Sequence, residues 1–196
     1  MTAIARPLDN VYLNDWLLSL RERRGLRVLT KWGVTDQINT LITGDDPAGR
    51  RIGFIADQNA GERGLFVPFL GKLASSYKSI GLLAMHHNVP IIAGYARRIG
   101  DKFRYRLEVV DRFGPEDWSD QPDPLFYITA RFNRAIEQMV ERSPEQYLWI
   151  HRRWKSRPKW EREGKEMPAS LRSRLEGLPW MTQVELDRLL SVDPSI

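Results

Sequence analysis

Two glycines three residues apart, set between two short apolar runs, constrain this chain more than any other feature. They lie in residues 52–71, IGFIADQNAGERGLFVPFLG. The uninterrupted apolar run 52–56 predicts a strand buried on both faces. It stops on Asp57, Gln58 and Asn59, three polar side chains where such a strand would emerge. Gly61 and Gly64 then permit tight backbone geometry before a second apolar run, 65–70, closes on Gly71. In open α/β sheets ligands bind outside the carboxyl ends of the strands, so residues 57–59 stand where a site would be. A plain polar turn between two strands fits the same pattern.

The flanking sequence alternates between helical and strand periods. Residues 2–5 read as an edge strand ended by Pro7. Asn10 is placed to cap a helix reaching Arg24, with Leu13, Trp16, Leu17 and Leu20 on one face for burial and Arg21 at its border. Residues 26–30 predict a strand, and Thr35 caps a helix carrying Ile38, Leu41 and Ile42. Beyond the central stretch, Ser75 opens a helix with Ile80, Leu83, Ala84 and His87 at helical spacing. Residues 90–99 predict a buried strand, Gly100-Asp101 a two-residue hairpin turn, and 103–109 the returning strand. Asp123-Pro124 starts an amphipathic helix through Ile128, Phe132, Ala135, Ile136, Met139 and Val140. After Lys159 the pattern weakens to two short helices. The order predicts an α/β fold, a mixed and mostly parallel sheet flanked by helices with an antiparallel hairpin edge.

A chain of 196 residues can bury one sizeable core. With no cysteine it has no disulfide, no catalytic thiol and no sulfur-bound zinc. His86 and His87 are adjacent, so on a helix they point about 100° apart and do not chelate together. No metal and no cofactor is therefore expected. No apolar run approaches the roughly eighteen residues of a membrane span. The net charge of +5 is local: residues 142–165 hold eight Lys/Arg against three Glu, an excess equal to that of the whole chain. Trp149, Trp154 and Trp160 interleave with these cations. Such a patch suits an anionic membrane surface, a phosphorylated lipid or nucleic acid. No RNA- or DNA-binding module accompanies it, so nucleic acid is not an expected partner; a solvated basic tail is the plain alternative.

Three segments in register resemble a known family. The first is Ala5-Arg6-Pro7-Leu8-Asp9-Asn10 followed by Leu20-Arg21-Glu22-Arg23 and Gly25. The second is Asp57-Gln58-Asn59-Ala60-Gly61 followed by Gly64-Leu65-Phe66-Val67-Pro68-Phe69-Leu70-Gly71. The third is Ser143-Pro144-Glu145-Gln146-Tyr147-Leu148-Trp149, then His151-Arg152-Arg153-Trp154-Lys155 and Arg157-Pro158. Together they resemble the lipid A biosynthesis acyltransferases, which add lauroyl or myristoyl chains to the lipopolysaccharide anchor.

The resemblance implies a glycerolipid acyltransferase-like fold over residues 1–158 and a basic, helical tail over 159–196. It implies transfer of a fatty acyl chain from an acyl-carrier-protein thioester to a glycolipid hydroxyl, by a peripheral enzyme on the cytoplasmic face of the inner membrane. Arg21 would lie near the donor or phosphate site, and Arg6 would bind substrate. Asp57, Gln58 and Asn59, with Gly61 and Gly64 setting the turn, would shape the acceptor pocket. Arg152, Arg153, Lys155 and Arg157 would form a membrane or phosphate patch. The family's general base is a His followed five residues later by Asp or Glu. Five residues after His86, His87 and His151 stand Ile91, Ile92 and Ser156. The chain is therefore expected to be the C-terminal two-thirds of such an enzyme, truncated at its N-terminus and inactive alone. The alternative is a non-catalytic, lipid-phosphate-binding remnant of that fold.

Overall fold

The computed structural model describes residues 1–5, 8–30, 34–46 and 50–191, and its contacts divide the chain into two units, Met1–Ile55 and Ala56–Ile196. In the first unit β1 (Thr2–Ala5), β2 (Arg27–Thr30) and β3 (Ile52–Gly53) form a parallel sheet in the order β2-β1-β3. Thr2 stands opposite both Arg27 and Ile52. Parallel neighbours need crossovers, and α1 (Val11–Glu22) and α2 (Val34–Thr43) supply them. The Asn10 side chain caps α1 by accepting the Leu13 N–H at 3.0 Å. Gly25, at φ 76°, ends it in the left-handed conformation that glycine adopts without a Cβ clash.

Four expectations for this unit change. The strand expected at an edge over 2–5 is the central one, paired with β2 on one side and β3 on the other. The strand expected over 52–56 is only two residues long and half-buried, because a single parallel neighbour, β1, pairs with it. Thr35 lies inside α2 rather than ahead of it. The apolar stripe of α1 is uncovered: Leu13, Trp16 and Leu20 are 49%, 59% and 45% exposed. Arg6 and Pro7 lie outside the described residues.

The second unit is built on α5 (Pro124–Arg142). Asp123 caps it through the Phe126 N–H at 3.0 Å, and Pro124 opens its first turn. Phe126, Ile128, Phe132, Ala135, Met139 and Val140 are all buried along its stripe. Burying each large apolar side chain of this kind stabilises the fold by about 1.5–3 kcal/mol. Against α5 pack the antiparallel pair β4 (Leu65–Phe69) and β5 (Lys72–Ser76), α3 (Ser79–His87), and the antiparallel pair β6 (Ile91–Arg98) and β7 (Tyr105–Phe113). The short helices α4 (Pro115–Trp118) and α6 (Lys159–Arg162), then α7 (Ala169–Glu176) and α8 (Gln183–Leu190), complete the unit. Leu175, Leu178, Leu186 and Leu189 of the last segment are buried.

Arg131 of α5 joins these layers. It donates to Asp111 on β7 at 2.9 Å, to Asp117 on α4 at 2.8 Å and to the Tyr127 hydroxyl at 3.0 Å. Burial works against its charge, but these bonds together outweigh it and raise the guanidinium's pKa. Asp117 also accepts the Gly114 N–H, and that bond, with Arg131, holds its carboxyl below the usual range.

The sheet expectation is corrected in part. The fold is mixed α/β, but among the described residues only β1, β2 and β3 run parallel; β4–β5 and β6–β7 are antiparallel pairs. Ser75 does not open a helix: it is fully buried in β5, opposite Phe66. The residues between β4 and β5, Leu70 and Gly71, have φ of 50° and 76°, a turn that folds the strand straight back. The turn expected at Gly100-Asp101 is longer than two residues. Arg98 pairs with Tyr105, and the Ile99 N–H reaches the Arg104 carbonyl at 2.9 Å.

Candidate functional site

The loop following residue 56 is fixed by its glycines and by β5. Gly61 has φ 79°, where a side chain would be strained. A Cβ on Gly64 would stand 2.0 Å from the Ser75 hydroxyl oxygen, so only glycine lets the loop approach β5 so closely. The Ala60 N–H donates to the Ser75 carbonyl at 3.2 Å, and the Ser75 hydroxyl donates to the Gly61 carbonyl. Residues 57–60 are thus presented on a rigid edge.

The segment that follows α5 then wraps this loop. Tyr147 donates its hydroxyl to the Asp57 carbonyl at 3.3 Å, and Asn59 donates its amide to the Ser156 hydroxyl at 3.1 Å. The Gln58 amide and the His151 ring nitrogen are 3.5 Å apart. Arg153 holds the two segments together. It is fully buried and donates to the Gln58 carbonyl at 3.2 Å, the Ser75 carbonyl, the Ser76 hydroxyl at 2.6 Å and the Asn133 side chain at 2.7 Å. Its guanidinium carbon lies 5.2 Å from the centre of the Phe69 ring. Phe69 packs in turn on Tyr147 and Trp154, with ring centres 6.1 and 5.7 Å away.

The electrostatics of this cluster follow from its burial. Loss of solvent lowers the pKa of Arg153, opposed by the nearby Tyr147, Asp57 and Tyr77. Loss of solvent raises the pKa of the Tyr147 hydroxyl, and the charge of Asp57 adds to the rise. Among the described residues, no hydrogen bond or ion pair engages the Asp57 carboxylate itself. Half-buried and fixed at its backbone, it has both oxygens free to accept from hydroxyl or amide groups. Asn59 Oδ1 is likewise buried without a partner among the described residues.

The expected basic patch does not survive intact. Arg153 is buried, and Arg157 is tied bidentately to Glu161, at 2.7 Å on each arm, and to the Leu73 carbonyl at 2.6 Å. Arg162 pairs with Glu62 at 3.0 Å, and Lys165 with Glu163 at 2.7 Å. Arg152 and Lys155 remain exposed. The reason is spacing: in a compact turn segment successive basic residues face alternately inward and outward, so a local run of charge does not become one surface.

Of the other expected site residues, Arg21 lies in the last turn of α1, in the first unit, and Arg6 lies outside the described residues. Tyr147, His151, Ser75, Ser76 and Asn133 are members of the cluster that were not among the expected site residues. Asn133 carried a signal, a polar residue beside the apolar stripe of α5; inside, it bridges Thr129, Ser76 and Arg153. Among the described residues no group of three or more His, Asp or Glu converges as metal ligands would. A cavity of about 230 Å³ lined by Asp111, Tyr127, Arg131, Arg134 and Trp180 shares no residue with the cluster.

The two segments that meet here belong to a recognised family pattern. The family model for bacterial lipid A biosynthesis acyltransferases matches residues 1–156. The chain is 28% identical over 158 residues to the lipid A biosynthesis lauroyltransferase of Escherichia coli (strain K12), 79% of this chain and 48% of that protein. It is 31% identical over 160 residues to the palmitoleoyltransferase of the same strain, covering 81% and 49%. A lipid A biosynthesis acyltransferase of Haemophilus influenzae is 28% identical over 159 residues, covering 79% and 48%. The chain spans about half the length of the curated relatives it matches. It belongs to the bacterial lipid A biosynthesis acyltransferase family.

Proposed function

We propose that this chain supplies the acceptor side of a lipid A-type acyl transfer, from an acyl-carrier-protein thioester to a glycolipid hydroxyl. The observation that carries the reading is the free carboxylate of Asp57 on a loop clamped by Arg153, Tyr147 and His151. Contact between two of the three segments on which the resemblance rests supports this reading. Asp57 would orient hydroxyls of the sugar, while Gln58 and Asn59 contribute neutral donors and acceptors. Gly61 and Gly64 hold the loop. Arg21 would lie near the donor or phosphate site, and Arg6 would bind substrate.

None of this chain's histidines has the carboxylate five residues on that the family's general base requires, so the base would come from outside residues 1–196. Loss of a general base costs about 10²–10⁴ in rate. Purified residues 1–196, given acyl-carrier-protein thioester and a lipid A precursor, should therefore show no acyl transfer above background. Turnover that Asp57→Ala abolishes would contradict this and would assign the base to a group within the chain. No described helix is long and apolar enough to cross a membrane; the proposed location is peripheral, on the cytoplasmic face of the inner membrane.

A further inference from the structure

The β6–β7 hairpin presents a surface that neither the clamp nor the fold uses. One face of the pair turns toward α5: the Tyr95 hydroxyl lies 3.5 Å from that of Ser143 at the helix end, and Arg97 pairs with Glu108 at 2.8 Å. The other face is open. Ile92 is 62% exposed, Val109 67%, Leu107 86% and Phe103, at the tip, 91%. Phe103 and Tyr105 stack edge to face with ring centres 5.2 Å apart. Alternation along the strands puts Ile92, Tyr105, Leu107 and Val109 on this one side.

Cations surround the apolar strip. Arg112 stands opposite Ile92 and Arg98 opposite Tyr105 in the strand register. Arg98 also braces the tip, donating to the Asp101 carbonyl at 2.6 Å. Lys102 and Arg104, at the tip, are exposed and engage in no ion pair among the described residues, whereas Arg106, opposite Arg97, belongs to the other face. Glu108 and Asp111 are already paired, with Arg97 and Arg131, which leaves Asp101 as the acid at the tip. Apolar and aromatic side chains ringed by unpaired Lys and Arg are the composition that seats on a lipid headgroup layer. An aqueous protein partner would be expected to bring acids against these cations, but would not need so exposed a Phe at the tip.

We infer that the β6–β7 hairpin is the membrane-docking element of this chain, inserting Phe103 and Leu107 at the surface of an anionic bilayer while Lys102 and Arg104 meet its headgroups. This moves the lipid contact from residues 142–165, where much of the charge is paired or buried, to the hairpin. The inference concerns where the chain meets lipid and goes beyond acyl transfer. Its test reads no catalysis, so it can fail while the acyltransferase reading stands, and the reverse.

The test uses residues 1–196 with vesicles of phosphatidylcholine alone or mixed with phosphatidylglycerol. The chain should co-float with the mixed vesicles and be released as salt rises. The double variant Phe103→Ser/Leu107→Ser and the double variant Lys102→Glu/Arg104→Glu should each bind at least about tenfold more weakly, with unchanged melting temperature because these side chains are exposed. Arg152→Glu/Lys155→Glu should change binding by less than about twofold. The chain has no cysteine, so a polarity-sensitive dye on Phe103→Cys reports one site. It should shift to shorter wavelength on mixed vesicles, and the same dye on Lys155→Cys should not. Hairpin variants that float like wild type, absence of any binding, or a shift at position 155 but not 103 would overturn the inference. So would self-association that Leu107→Ser abolishes without any vesicle binding, which would make the strip a contact between copies.

Discussion

Helices α1 and α5 begin in the same way and end in different surroundings. Each is capped by a side chain accepting the N–H three residues on, Asn10 from Leu13 and Asp123 from Phe126. Each carries apolar residues at helical spacing. Yet ten residues of α5 are buried and none of α1 is. The strands β4, β6 and β7 lie against α5, whereas α1 accompanies a sheet of three short strands. Periodicity in a sequence records that a face calls for apolar cover; whether it is covered depends on elements that are remote in the chain.

The largest effect should come from breaking the covered helix. Phe132→Ala removes a ring that is 3% exposed, and comparable truncations cost about 3–5 kcal/mol. Denaturant unfolding of the second unit, followed by amide exchange in α5, should show that loss; a change below about 1 kcal/mol would mean that α5 does not carry the core. Somewhat smaller is the expected effect of Arg153→Met. It removes the arginine donor from the Gln58 carbonyl and the Ser76 hydroxyl, and one of two donors from the Ser75 carbonyl and the Asn133 side chain. Hydrogen bonds to a charged group are worth about 1.5–3 kcal/mol each, partly offset because methionine needs no desolvation. A loss of roughly 2–4 kcal/mol by the same measurement fits the clamp, and a neutral substitution would argue against it. The smallest effect belongs to α1: Trp16→Ala should stay within about 0.5 kcal/mol, as surface changes usually do. A loss as large as that of Phe132→Ala would show that the first helix is covered in solution after all.

The same contrast explains what was legible in the sequence. The helices α1, α2 and α5 and the strands β2, β4, β6 and β7 follow from local pattern, but the burial expected over 90–99 does not: β6 alternates half-buried and exposed residues, with Ile92 62% exposed. The strand β5 was not legible: KLASS has two small serines and one alanine, and its burial comes from pairing with β4 and from the close approach of Gly64. The polar loop at Asp57 was visible as a break between apolar runs. Its partners were not, since Tyr147, His151 and Arg153 lie about ninety residues away and no local pattern links them. Nothing in Arg152-Arg153 says which arginine is buried. The Ser75 carbonyl, Ser76 and Asn133 decide it, and they come from two other elements.

The central claim is that the clamped loop receives the polar head of a glycolipid, and equilibrium binding tests it most directly. A lipid A precursor in detergent micelles is titrated into residues 1–196 and into Asp57→Ala, with the melting temperature of each recorded. The Asp57 carboxylate accepts no hydrogen bond among the described residues, but its charge offsets the desolvation of the buried Arg153, so some loss of melting temperature is expected and affinities are compared where both proteins are fully folded. Loss of a charged hydrogen-bonding partner should weaken acceptor binding by at least about tenfold. Equal affinity of the two folded proteins for the precursor would contradict the account.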